Sequence, residues 1–152
     1  CDSHPGNFAF RPDGTVVIYD FGGVKTLSVE IVEHFKQLIY AARKHNIPAI
    51  EDHLEALQAL AIRSSFPEEL YIQWIDVLLR PLTQPYNFAE NSAYHDSVTL
   101  VKKSLKYWDV FRPSPDTLMV NRTISGHYWN LIHLKVEDNL NDLFEELVPN
   151  PS

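Results

Sequence analysis

The tightest constraint on this chain is a pair of turns that fold its first residues back on themselves. Pro5-Gly6 is a turn signal. Asn7-Phe8-Ala9-Phe10 then reads as a short strand, Arg11-Pro12-Asp13-Gly14 as a turn, and Thr15-Val16-Val17-Ile18-Tyr19 as the returning strand. Such a hairpin returns Asp20 to the side of Asn7, while Pro5-Gly6 turns Asn7 back toward Asp2. Side chains alternate along a strand, so Asn7 and Ala9 share one face, and Phe8 and Phe10 are expected to face the core. The result is a carboxamide and two carboxylates at one edge, the oxygen donors that a small hard cation selects.

An acid, an amide five residues later and a second acid just past a hairpin is the layout of the phosphoryl-transfer centre in protein-kinase-like folds. That chemistry needs one carboxylate to orient the attacking group and oxygen ligands to hold Mg²⁺ on the nucleotide phosphates. On this layout Asp2 is the orienting base, Asn7 and Asp20 are the metal ligands, and Ala9 is a candidate for the floor of the adenine pocket. Pro-Gly and Asp-Gly pairs are ordinary turn chemistry, and a bare Asp20-Phe21-Gly22 occurs by chance. The two halves in order, joined by a strand-turn-strand, are what point to phosphoryl transfer.

Composition narrows the rest. With 152 residues and 45% apolar content the chain can bury one proper core. A net charge of −7, with only Lys102, Lys103 and Lys106 grouped, excludes a nucleic-acid surface. No apolar run approaches the roughly 20 residues of a spanning helix, and no signal-peptide pattern opens the chain. The single Cys excludes an internal disulfide and favours a reducing compartment. The chain starts at Cys1, without an initiator Met and directly before the motif. It is therefore expected to be a piece of a longer protein, whose phosphate-covering loop, phosphate-pairing Lys and helical Glu lie upstream.

Residues 1–27 divide off as catalytic loop, hairpin and Asp-Phe-Gly segment, and residues 28–152 as a helical body in the same domain. Gly22-Gly23 is a flexible exit. Ser28 is an N-cap for a helix from about Val29 to Lys44, with a stripe through Val29, Ile31, Val32, Phe35, Leu38, Ile39 and Ala42. Asn46-Ile47-Pro48 ends it. A second helix is expected from about Ala49 to Ile62. Ser65-Phe66-Pro67-Glu68 resembles a capping box and opens a third, which stops near Pro81. Leu82 to Asn91 reads as a loop. A fourth helix, about Ser92 to Tyr107, has a stripe at Tyr94, Val98, Val101, Leu105 and Trp108. Ser114-Pro115 starts a fifth, about Asp116 to Leu134, with Leu118, Ile124, Tyr128, Leu131 and Ile132 expected to be buried. There Ser125-Gly126 leaves a notch where another backbone can approach. A last helix runs from about Leu140 to Val148. The fold class is mainly α: one short hairpin followed by about six helices, the kinase-like C-lobe arrangement.

These residues resemble the C-terminal part of the AarF-domain, UbiB-like family of atypical kinases. Cys1-Asp2-Ser3-His4-Pro5-Gly6-Asn7-Phe8 is similar to that family's catalytic loop. Tyr19-Asp20-Phe21-Gly22-Gly23-Val24-Lys25 is similar to its metal-binding segment, and Asn121-Arg122-Thr123-Ile124-Ser125-Gly126 to an Arg-Thr-Leu-x-Gly pattern in a late helix. The resemblance implies an ATP- and Mg²⁺-dependent kinase or ATPase linked to ubiquinone or lipid metabolism. By position Asp2 matches the catalytic acid, and Asn7 and Asp20 the metal ligands. The family's Lys-x-Gly-Gln segment and Ala-rich nucleotide loop are absent, so this stretch alone is expected to be inactive.

Its expected partners are a nucleotide, the upstream lobe of the same chain, and a lipid or prenylated small molecule, with association at a membrane surface. The expected location is intracellular, cytoplasmic or peripheral to a membrane. A small-molecule phosphotransferase of the aminoglycoside and choline kinase type also carries Asp-x-His-Pro-Gly-Asn before a hairpin. Gly22-Gly23-Val24-Lys25 and the late-helix pattern favour the UbiB-like reading. A reading from a different class is a helical binding module without turnover, with Trp74, Trp108 and Trp129 serving a partner or a membrane surface. Large apolar residues at helical spacing are more often core. His4 is expected to brace the loop, and Arg122 to pair with a carboxylate.

Overall fold

The structure, a computed structural model, describes residues 3–63, 65–90 and 92–148. The turn chemistry at the front forms as the sequence dictates. Pro5–Asn7 make one turn of 3₁₀ helix, and β1 (Phe8–Phe10) pairs antiparallel with β2 (Val16–Ile18) in the register Phe8↔Ile18, Ala9↔Val17, Phe10↔Val16. Between them the Arg11 N–H donates to the Thr15 carbonyl, and Gly14 takes φ +85°, which glycine adopts without steric cost. Asp13 accepts from the Thr15 N–H at 3.0 Å, and this bond holds its carboxyl below the usual carboxylate range. Phe10 corrects the sequence reading. It is 58% exposed, because the hairpin has no second layer over that face among the described residues.

Six helices follow. α1 (Val29–Arg43) begins at Ser28, whose hydroxyl accepts from the Ile31 N–H. α2 (Ile47–Ala56) starts earlier and stops sooner than its pattern suggests. Asn46 does not merely end α1. It caps α2 by accepting from the Ala49 N–H, and Pro48 sits in the first turn, where its missing N–H costs nothing. Past Ala56 the chain enters the left-handed region at Gln58 (φ 55°), and residues 59–61 run antiparallel to 110–112 through Ala61 N–H···O Val110 and Arg112 N–H···O Ala59.

α3 (Glu68–Leu78) has no capping box. Pro67 occupies the cap position with no side-chain hydrogen bond, and the Ser65 hydroxyl donates to the Arg63 carbonyl instead. The stretch read as a loop holds β3 (Tyr86–Asn87), which pairs with β4 (Glu137–Asp138) in the register Tyr86↔Asp138, Asn87↔Glu137. α4 (Ser92–Ser104), α5 (Pro115–His133) and α6 (Leu140–Leu147) complete the body.

Two apolar clusters hold the body together. In the first, Phe66 stacks edge-on against Tyr71, Tyr107 and Phe111, at centroid separations of 5.0, 5.4 and 5.0 Å, with Ile50, Leu70 and Ile75 around it. At its rim Tyr71 donates to the buried Glu51 carboxylate, and burial pushes the Tyr71 hydroxyl well above its ordinary pKa. In the second, Phe88 (1% exposed) packs against Tyr86 and Tyr128 over Val77, Ala93 and Leu100.

Arg43 ties α6 to α1. It pairs with Glu145, donates to the Leu82 carbonyl at 3.1 Å and to Asn141 Oδ1 at 2.6 Å, and lies over the Phe144 ring. The α4 stripe does not join either cluster. α4 ends at Ser104, before Leu105 and Trp108; Val98, Val101, Leu105 and Trp108 are exposed, Trp108 at 78%, Tyr94 lies against the Trp129 ring, and Ala93 and Leu100 are the buried positions of α4. Val29, Val32, Leu118 and Ile124 are likewise exposed rather than buried. No helix among the described residues is long and apolar enough to cross a membrane.

Candidate functional site

The site is assembled from three short pieces laid against one long helix. The first is the loop before β1. His4 braces it twice: its Nδ1 accepts from the Gly6 N–H at 3.0 Å, and its carbonyl accepts from the Asn7 N–H at 2.9 Å. The second is the open end of the hairpin. The Tyr19 N–H donates to the Asn7 carbonyl at 2.9 Å, extending the ladder by one pair and placing Asn7 opposite Tyr19, one residue before Asp20. Ala9 lies two residues further in, across from Val17. The third is a tight turn, Asp20-Phe21-Gly22, in which Asp20 Oδ1 accepts from the Gly22 N–H at 2.7 Å. A side chain at Gly22 would stand 3.1 Å from that oxygen. Asp2 lies outside the described residues.

α5 is the bed for these pieces. Ser3, only 8% exposed, donates from Oγ to the Thr123 carbonyl at 3.3 Å, and its own carbonyl accepts from Asn130 Nδ2 at 3.0 Å. The notch read at Ser125-Gly126 is filled by this residue: a Cβ on Gly126 would lie 2.4 Å from Ser3 Cβ and 2.7 Å from its Oγ. Phe8 meets the His127 ring edge-on at 5.8 Å. Further up the helix Lys25 pairs with Asp116 in the first turn, and Val24 and Leu27 line a cleft with Met119, Val120 and Ile124. The sequence signalled Gly126, as a glycine inside a helical pattern. Asn130, His127 and Asp116 carry no such mark. Arg122, expected to pair with a carboxylate, is exposed and forms no ion pair among the described residues.

The donor set suits magnesium. One amide and one carboxylate are oxygen ligands, and Mg²⁺ is commonly held by one or two carboxylates together with substrate phosphates rather than by a full protein cage. Only one oxygen of Asp20 is engaged by the Gly22 N–H, so the carboxylate is oriented without being saturated. Among the described residues no group of three or more His, Cys, Asp or Glu is arranged to hold a metal ion. His34 and His53 meet through their Nδ1 atoms at 3.2 Å, between α1 and α2.

Loop, hairpin and Asp-Phe-Gly turn follow one another here ahead of a helical body, the order that the motifs led one to expect. A family model agrees: the ABC1 atypical kinase-like domain matches residues 1–54, from the loop through the hairpin and α1 into α2. Over that stretch the chain is similar to atypical kinase-like domains, and the resemblance drawn from its motifs to UbiB-like proteins holds there. No curated protein and no solved structure matches the chain.

Proposed function

We propose that this chain carries the catalytic-loop and metal-binding side of an ATP- and Mg²⁺-dependent atypical kinase or ATPase. The observation that carries the reading is the hairpin register, which brings Asn7 and Asp20 to one open end with the loop from Ser3 to Gly6 directly before it. In this reading Asn7 and Asp20 hold Mg²⁺ on the nucleotide's phosphates, and Asp2 accepts the proton of the attacking hydroxyl. Mg²⁺, when bound, neutralises charge on the phosphate oxygens. Ala9, small and two positions along the same face as Asn7, leaves room for the adenine ring. Gly22 N–H keeps the Asp20 carboxylate in one rotamer, so its orientation is set before the nucleotide arrives. The acceptor that fits the family resemblance is a lipid or prenylated small molecule, reached at a membrane surface. The apolar outer face of the hairpin, with Phe10, Val16 and Ile18, is the surface an upstream lobe of the same protein would cover.

The test is Mg²⁺-dependent nucleotide binding by the full-length protein, with and without Asp20→Ala. The substitution is expected to abolish binding while leaving the melting temperature within about 2 °C, because Asp20 is exposed and its hydrogen bond is local. Undiminished binding by Asp20→Ala would sink the metal assignment. Phosphorylation of a hydrophilic alcohol would instead favour the small-molecule phosphotransferase reading. A second reading, a helical binding module without turnover, is favoured by the exposed apolar side chains on and just after α4, Val98, Val101, Leu105 and Trp108. Failure of the wild-type protein to bind Mg²⁺ and nucleotide would favour it.

A further inference from the structure

His34 of α1 and His53 of α2 face each other across the two helices. Their Nδ1 atoms stand 3.2 Å apart and their ring centroids 5.5 Å apart, with the rings tilted by 53°. Between neutral rings this contact holds a single proton, one ring donating from Nδ1 and the other accepting there. The same separation suits a different occupant. Two nitrogens on a tetrahedral zinc, each about 2.0–2.1 Å from the metal, lie about 3.3–3.4 Å from each other. We propose that His34 and His53 form a binding site, joining α1 to α2, for a borderline-soft divalent cation of the Zn²⁺ type.

The pair is chemically distinct from Asn7 and Asp20. Imidazole nitrogen suits zinc, copper and nickel, whereas magnesium takes oxygen ligands. It is also reachable. Both histidines are half-buried, and beside them a cleft of about 460 Å³ opens to solvent, bounded by Glu30, Ile31 and His34 of α1 and by Ala56 and Gln58 at the end of α2. The carboxylates around it favour a cation. Glu30 lines the cleft one turn ahead of His34, and so does Asp116, which is paired with Lys25. Among the described residues no third His, Cys, Asp or Glu joins the two rings, so water completes the shell. A structural zinc takes four protein ligands. A site with two therefore fills and empties with the cation's concentration, while α1 and α2 stay packed through Ala41 and Ile50.

Binding changes the rings in a way that can be read. Both Nδ1 lone pairs go to the cation, so both rings carry their proton at Nε2. The ring that donated from Nδ1 changes tautomer, and with both rings neutral no proton has to leave. The cation then clamps two helices whose ligands lie 19 positions apart in sequence. Neither histidine belongs to the loop or the hairpin, so the proposal stands or falls apart from the phosphoryl-transfer reading.

The experiment uses the metal-stripped full-length protein, with Zn²⁺ titrated against a chromophoric chelator in excess Mg²⁺. The wild type should take up one equivalent of Zn²⁺ that His34→Gln and His53→Gln each bind far more weakly. Removing an outer partner of a metal ligand already costs about 10- to 100-fold in affinity, so removing a ligand itself should cost no less. Zn²⁺ should slow amide exchange across α1 and α2 in the wild type and in neither variant. Imidazole ¹⁵N spectra of the wild type need no substitution: with Zn²⁺ in excess, both rings should be protonated at Nε2 alone. Equal Zn²⁺ uptake by the wild type and both variants overturns the proposal. So does a wild-type spectrum in which one ring keeps its Nδ1 proton, which decides the matter even where a variant fails to fold. The pair is then a hydrogen bond between helices and nothing more.

Discussion

The front segment, residues 3–27, and the helical body are held by different forces. In the body, aromatic and aliphatic side chains converge: Phe66 touches three rings, and Phe88 is sealed from water between two tyrosines. In the front, Phe10, Val16, Tyr19 and Phe21 are exposed, and the only buried residue is a serine. That segment is kept in shape by turn hydrogen bonds, a six-residue ladder, a Lys25–Asp116 pair and a serine pressed against a glycine. Packing fixes the fold, and hydrogen-bond geometry fixes the candidate chemistry. The two should therefore respond separately to substitution.

Three substitutions probe that separation in denaturant unfolding. Phe66→Ala removes the ring shared by Tyr71, Tyr107 and Phe111 and should destabilise the body by about 3–5 kcal/mol. A loss under about 1 kcal/mol would show that the first cluster does not carry the body. Arg43→Met keeps the apolar stem over Phe144 but deletes the bonds to Leu82, Asn141 and Glu145. It should cost about 1–3 kcal/mol, with α6 the first element to lose amide protection. Phe10→Thr replaces an exposed aromatic in the hairpin and should change stability by no more than about 0.5 kcal/mol. A large loss there would mean that the hairpin packs against something in solution, and the contrast between the regions would fail.

How much of this was legible follows the same division. Turn chemistry is local, so Pro5-Gly6, Arg11-Pro12-Asp13-Gly14 and the cap at Ser28 read directly from residue type, and the hairpin and the start of α1 came out in place. Helix endings were less visible, because three backbones turn left-handed at residues other than glycine: His45, Gln58 and Lys135. At Gln58 nothing in the sequence marks the stop, and the helical pattern runs on to Ile62, six residues past the end of α2. The α4 stripe shows a different limit. Periodicity gives the apolar face of a helix but not whether another element lies against it, and Val101, Leu105 and Trp108 face away from both clusters. Of the candidate site, Asn7, Ala9 and Asp20 were set by the hairpin alone. The bed beneath the loop was visible only as a glycine in a helix, since Asn130 reaches Ser3 across 127 positions that no local pattern spans.

That separation bears on the order in which the molecule is made. Within this stretch a ribosome releases the loop well before α5, and long-range closure carries an entropic cost that local turns do not. The hairpin and the early helices can form while synthesis continues, but the serine has nothing to rest on until residues 123–130 have emerged. The hairpin that carries Asn7 and Asp20 should thus be in shape for some time before Ser3 is seated, so that the front of the candidate site matures only once α5 is in place.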